Sequence, residues 1–168
     1  AIPVQRVLDG ANRSGLAGVF VEHPGHDVYD SDEGKFSGQE PLDGVDGVFH
    51  LAAQPGVRGS WGDTFAVYVR DNIYATQRLF EAAAGAKRRI VMASSSSVYG
   101  TGGDTLRAAG EPRPASPYGV TKLAAETLVG AYAGTGLSAV SLRYFSVYGP
   151  RQRPDMAAHR FIESLLDG

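Results

Sequence analysis

Arg89-Ile-Val-Met-Ala-Ser94 decides the fold. Its apolar residues run without alternation and end at a serine cluster, Ser94 to Ser97. A strand with one wet face alternates polar and apolar residues, whereas a strand buried on both faces reads as a continuous apolar run. Working outward, two segments share this character: Gly47-Val-Phe-His-Leu-Ala-Ala53 upstream and Ser138-Ala-Val-Ser-Leu-Arg-Tyr144 downstream. Helical patterns separate the three. Thr64 to Ala84 places Phe65, Tyr68, Val69, Ile73, Ala75, Leu79 and Phe80 close to helical spacing. Tyr118 to Ala133 carries Leu123, Ala124, Leu128 and Tyr132 along one side, and Met156 to Leu166 predicts a last short helix. Strands alternating with helices make βαβ units, so the expected class is α/β, a doubly wound parallel sheet with helices on both faces.

The connections agree with that scheme. Gly100 to Pro117 is rich in Gly, Pro and small polar residues, as expected at the carboxyl edge of a sheet. Pro117 suits a first helical turn and Ser116 its N-cap. The first 45 residues are poorly defined, because glycines and charges interrupt every apolar run. One strand is expected there, around Asp27 to Asp30. A doubly wound dinucleotide fold opens with a strand and a glycine-rich turn. Gly10, Gly15 and Gly18 have neither the required spacing nor a preceding apolar strand.

Composition narrows the function. A chain of 168 residues can bury the core of one domain. A net charge of -2, with both signs interspersed, suggests neither nucleic acid nor a charged tail. With no cysteine, disulfides, thiolate metal sites and cysteine nucleophiles are excluded for this sequence. His23, His26, His50 and His159 are scattered without metal-ligand spacing. No apolar run reaches the length of a membrane span, and a cytoplasmic location is the expectation.

The chemistry centres on Ser116-Pro-Tyr-Gly-Val-Thr-Lys122. Tyr118 and Lys122 are four residues apart and share one helix face. An ammonium held beside the phenol favours phenolate and is expected to depress the Tyr118 pKa towards neutrality. Such a phenol can take a proton from a sugar hydroxyl while hydride leaves the same carbon. A serine hydroxyl can hold that oxygen in place.

From Val48 onward the chain resembles the extended short-chain dehydrogenases/reductases, specifically the NAD-dependent sugar-nucleotide epimerase/dehydratase family. The resemblance is carried by Phe49-His-Leu-Ala-Ala-Gln-Pro-Gly-Val-Arg58, Asp71-Asn72, Ser94-Ser-Ser-Ser-Val-Tyr-Gly100, Ser116 to Lys122, and Arg143-Tyr-Phe-Ser-Val-Tyr-Gly-Pro-Arg151, in the family's order and spacing. It implies a Rossmann-type fold with NAD as cofactor. The family begins with a glycine-rich phosphate loop and ends with a smaller substrate domain, so the chain reads as an internal piece, residues 1–168 forming a partial NAD-binding domain. Residues 151–168 would open the substrate-binding region.

By resemblance, Tyr118 is the base, Lys122 tunes it and holds the nicotinamide ribose, and Ser95 bonds the sugar's reacting oxygen. Leu51, Ala52 and Ala53 pass under the cofactor, Asp32 accepts from adenine, and Asn72 stands on the cofactor side. Tyr144 and Phe145 lead into the nicotinamide and sugar sites. Ser96, Ser97, Ser146 and Arg153 join Ser95 on the substrate side. His50 stands between packing and function, and Trp61 between packing and a pocket wall.

Dehydratases of the family resemble one another in an Asp-Glu pair after the catalytic Ser/Thr, and decarboxylases usually keep a glutamate there. Ser96 and Ser97 are not carboxylates, which favours 4-epimerisation of a nucleotide sugar through a transient keto-sugar. Phe145 to Met156 resembles the uronate 4-epimerases, where Arg153 would pair with a sugar carboxylate. The other reading makes Arg151 and Arg153 surface or phosphate-facing charges, so UDP-glucuronate and UDP-glucose both stand as substrates. A non-catalytic NAD-binding sensor is the alternative from another class. The resemblance also implies a homodimer through the segments Thr64–Ala84 and Tyr118–Ala133.

Overall fold

The structure is a computed structural model that describes residues 18–21, 29–30, 35–36, 42, 46–101, 111–149, 154 and 156–167. The strands are β1 (Gly18–Val21), β2 (Tyr29–Asp30), β3 (Lys35–Phe36), β4 (Gly47–His50), β5 (Arg89–Ser95) and β6 (Ala139–Tyr144). A four-stranded sheet has the order β1-β4-β5-β6 and every neighbouring pair is parallel. The register places Val48, Ile90 and Ala139 in one row and His50, Met92 and Ser141 in the next. The segment expected to be a strand around Asp27 to Asp30 contributes Tyr29–Asp30. It pairs antiparallel with Lys35–Phe36, apart from the parallel sheet. Strand β1 was not legible, because its four residues are too few to register as an apolar run.

Between β4 and β5 the chain forms α1 (Phe65–Tyr68), a wide π-helical turn (Val69–Tyr74) and α2 (Ala75–Gly85). Helix α3 (Pro117–Ala133) joins β5 to β6, and α4 (Ala157–Leu166) follows. Ser116 caps α3 as its sequence predicts, with Oγ accepting the Gly119 N–H at 3.1 Å and Pro117 in the first turn.

Parallel connections are right-handed. Because β4, β5 and β6 advance across the sheet in one direction, both crossovers bring their helices to the same face. That face holds the core: Val48, Ile90 and Met92 of the sheet, Leu79, Phe80 and Ala83 of α2, and Ala125 of α3. Phe80 meets Tyr132 edge-on at 5.7 Å. Burying side chains such as Phe80, Ile90 and Met92 is worth about 1.5–3 kcal/mol each. The expectation of helices on both faces is therefore met on one face among the described residues. The other face shows Phe49, Val140 and Leu142, each at least 40% exposed. A helix there requires the strand order to reverse, and these four strands do not reverse it.

Candidate active site

Because all four strands run the same way, their carboxyl ends share one edge, the place where open α/β sheets bind ligands. Strand β4 stops at His50, so Leu51, Ala52 and Ala53 leave the sheet instead of extending it; Leu51 is exposed and the two alanines are partly buried. Strand β5 ends on Ser95, which caps a short 3-10 turn (Ser96–Tyr99) by accepting the Ser97 N–H at 3.1 Å. Strand β6 delivers Tyr144 and Phe145, both about half exposed, with the Phe145 ring stacked on Tyr99 at 6.5 Å.

Helix α3 brings Tyr118 to this edge. The Tyr118 hydroxyl lies beside the Ser95 side chain, near enough for that hydroxyl to act on its ionisation. Its N–H donates to the Oγ of buried Ser60 at 3.1 Å, and its ring meets Tyr68 edge-on at 6.2 Å. The Tyr68 hydroxyl is shared between the carbonyls of Pro55 and Gly56, 3.0 Å from each, which pins the loop leaving β4. The same loop is gripped by Asn72 from the π turn. Its Oδ1 accepts the Gln54 N–H at 2.7 Å, and its Nδ2 donates to the Gln54 carbonyl and to Thr121 Oγ1 at 3.1 and 3.0 Å. Thr121 in turn donates to the Tyr118 carbonyl at 2.8 Å. Asn72 thus ties the β4 exit to the helix that carries Tyr118 and Lys122.

The ionisation differs from the sequence-based expectation. Burial pushes the Tyr118 phenol up; the Ser95 hydroxyl pulls it down less strongly, and Tyr68 adds to the rise. Lys122 is not among the groups that move it, and the buried amine is itself brought down to about 8, with Glu126 opposing that fall. Tyr118 is therefore a protonated hydrogen-bonding group in the protein alone.

His50 is buried, and its tautomer follows from its neighbours. Thr76 Oγ1 donates to the Asn72 carbonyl at 2.9 Å, so its contact of 2.8 Å with His50 Nε2 is donated by the imidazole. Nδ1 is left as a buried acceptor with no partner among the described residues. Burial first, then the charge of Lys122, hold the His50 pKa down to about 4. A folded pKa below the unfolded value of about 6.5 means that stability is complete above the higher value and falls through the window down to the lower one. Acidification from pH 6.5 to 4 is expected to cost up to about 3 kcal/mol through this residue. Urea midpoints of wild type and His50→Leu across that range check it; equal pH slopes in the two proteins would exclude His50 as the cause.

Among the sequence-predicted residues, the structure brings together Ser95, Tyr118, Lys122, Asn72, the Leu51–Ala53 segment and the Tyr144–Phe145 segment around one edge. Ser96 and Ser97 lie in the turn after Ser95, and Ser146 is exposed just past β6. Asp32 and Arg153 lie outside the described residues. Sequence reasoning missed Ser60, Tyr68 and Thr121, which act through backbone groups that no motif spacing shows. It also missed Glu126, although this residue stands one turn beyond Lys122.

The chain matches the model of the NAD dependent epimerase/dehydratase family over residues 27–168. It is 52% identical over 127 residues to the uncharacterized UDP-glucose epimerase YtcB of Bacillus subtilis (strain 168), covering 74% of this chain and 40% of that protein. Among solved structures, it is similar to UDP-glucuronic acid 4-epimerase from Bacillus cereus in complex with UDP-glucuronic acid and NAD. There the identity is 46%, with a TM-score of 0.74 over 84% of this chain and 44% of that one. MoeE5 in complex with UDP-glucuronic acid and NAD matches with 44% identity and a TM-score of 0.78, over 95% of this chain and 56% of that one. The chain thus spans about two fifths to just over half the length of these relatives.

Proposed function

Because the chain belongs to the NAD dependent epimerase/dehydratase family, we propose that it carries the catalytic edge of a nucleotide-sugar 4-epimerase acting on UDP-glucuronate or UDP-glucose. The observation that carries this reading is the placement of Tyr118 beside Ser95 at the carboxyl edge, with Lys122 one turn along the same helix. Ser95 and Tyr118 together bracket one oxygen atom of a substrate, the sugar C4 hydroxyl. Tyr118 exchanges the hydroxyl proton as the carbon is oxidised to a ketone and returns it when the opposite face is reduced.

The residues present fit NAD at its nicotinamide end. Ala52 and Ala53 are small where the backbone must approach a flat ring, and Lys122 offers a donor to a ribose. When bound, oxidised NAD supplies the hydride acceptor and a positive charge beside the phenol, which acts against the burial that keeps Tyr118 protonated. Ser95 holds the sugar oxygen throughout, while the Asn72 clamp keeps the β4 exit and α3 from separating.

The dehydratase reading is disfavoured by a specific contact. Elimination of water needs a further acid–base pair near Ser95. Among the described residues, Glu126 is the carboxylate bonded to this serine-rich segment, and it is already engaged by Arg143 and Ser94. Product analysis decides. The protein carrying this sequence, incubated with NAD and UDP-glucuronate, is expected to yield a C4 epimer of unchanged mass. A product lighter by water or carbon dioxide would refute the assignment.

A further inference from the structure

Beneath the Ser95–Tyr118 edge lies a second polar cluster to which neither the motifs nor the proposed reaction assigns a role. Glu126 of α3 receives the Arg143 side chain in a two-pronged ion pair, Nε to Oε1 at 2.9 Å and Nη2 to Oε2 at 2.7 Å. Ser94 Oγ donates to the same Oε1. The Arg143 guanidinium also lies over the Tyr99 ring, 4.7 Å from its centroid. Ser94 adjoins Ser95 in the chain, Arg143 adjoins Tyr144, and Glu126 is one helical turn from Lys122. One carboxylate therefore joins the three elements that supply the site: the end of β5, the end of β6 and helix α3.

We propose that Glu126 is the positioning residue of this site: held by Arg143 and Ser94, it fixes α3 against the ends of β5 and β6 and stands as the anion one helical turn from Lys122. The geometry is well suited to both tasks. A guanidinium–carboxylate fork defines direction as well as distance. Both partners are largely withdrawn from water, the Glu126 side chain at 11% and that of Arg143 at 26% exposure, so the pair is less screened than a surface one. Burial alone would push the Glu126 carboxyl up. The hydrogen bonds from Arg143 and Ser94 and the charges of Arg143 and Lys122 together hold it below the usual range, so it is ionised at neutral pH. The titratable groups around Lys122 are His50 from β4 and Glu126 from its own helix, with Tyr118 one turn back along that helix and Arg143 of β6 paired to Glu126. Among these, His50 is neutral near pH 7, so Glu126 supplies the negative charge.

The consequence has a sign that simple loosening of the fold would not produce. Removing the Glu126 charge takes an attraction away from Lys122, so the amine should deprotonate at lower pH. Removing the Arg143 charge leaves the carboxylate and takes a repulsion away, so the amine should deprotonate at higher pH. Lys122 is one of three lysines with Lys35 and Lys87, and peptide mass spectrometry resolves its acylation by acetic anhydride as a function of pH.

In E126Q the labelling rate of Lys122 at pH 7, relative to its alkaline plateau, should rise at least about threefold, and in R143Q it should fall by a similar factor. E126D, which keeps the charge, should stay near wild type and provides the comparison if E126Q does not fold. Shifts of the same sign in E126Q and R143Q, or no shift in either, would overturn the proposal. Although the role rests on reading Tyr118 and Lys122 as the hydride-transfer pair, the labelling reads Lys122 directly. A wild-type protein without epimerase activity would sink that reading and leave the labelling result standing; unshifted labelling in an active enzyme would sink only the role of Glu126.

Discussion

Replacing Tyr118 by phenylalanine is expected to lower UDP-sugar turnover by about 10²–10⁴-fold while leaving the fold intact. The phenol hydroxyl is the one atom the substitution removes, and it is the atom that faces Ser95. The ring stays, so the edge-on contact with Tyr68 at 6.2 Å and the backbone bond to Ser60 are retained. Losing one hydrogen bond at a partly buried site changes stability by only about 1 kcal/mol. Thermal melting should thus be nearly unchanged as activity disappears. The same substitution separates the two functional classes. A non-catalytic NAD sensor would show equal ligand response in both proteins, because its output does not depend on proton transfer. Turnover within tenfold of wild type in the variant would remove Tyr118 from the mechanism.

Ionisation is where sequence and structure part most clearly. The spacing of Tyr118 and Lys122 is legible because helical periodicity makes neighbours of residues four apart. The direction of the phenol's pKa is not legible, because it depends on how deeply each group is buried and on what else faces it. Here burial dominates for both side chains, and the lysine that was expected to act on the tyrosine is itself lowered.

Other features divide along the same line. Helix α3 was read almost to the residue because its signals are local: a serine cap, a proline in the first turn and an alanine-rich body. Strand β5 was legible as a continuous apolar run. Strand β4, by contrast, stops at His50, three residues before the predicted end. The loop from Leu51 is held by Asn72 and Tyr68, and such long-range hydrogen bonds leave no periodic trace. The π turn over Val69–Tyr74 was hidden for a similar reason. Its apolar spacing passes for ordinary helix, although it buries Asp71 and Asn72 together.

Gly119→Ala is expected to harm the fold beside the site, although alanine is the better helix former. Inside a helix, glycine to alanine ordinarily stabilises by about 1 kcal/mol, because alanine restricts the unfolded chain and favours helix. At Gly119 the added Cβ would stand 2.5 Å from the Ser97 carbonyl oxygen and 3.0 Å from the Pro114 Cβ. The closest atom is backbone, in the 3-10 turn that follows Ser95, and cannot rotate away as a flexible side chain would. The helix must therefore back off from the turn. Overpacking of this kind costs about 1–3 kcal/mol, enough to reverse the helix preference. The displacement falls between Tyr118 and Ser95, so turnover should drop together with stability. Gly130 provides the control, because it lies in the same helix with open space where a Cβ would go. Gly130→Ala should raise the urea midpoint slightly and leave turnover unchanged, while Gly119→Ala should lower both. If the two variants proved equally stable, close packing of α3 against the Ser96–Tyr99 turn could not be what seats Tyr118 beside Ser95.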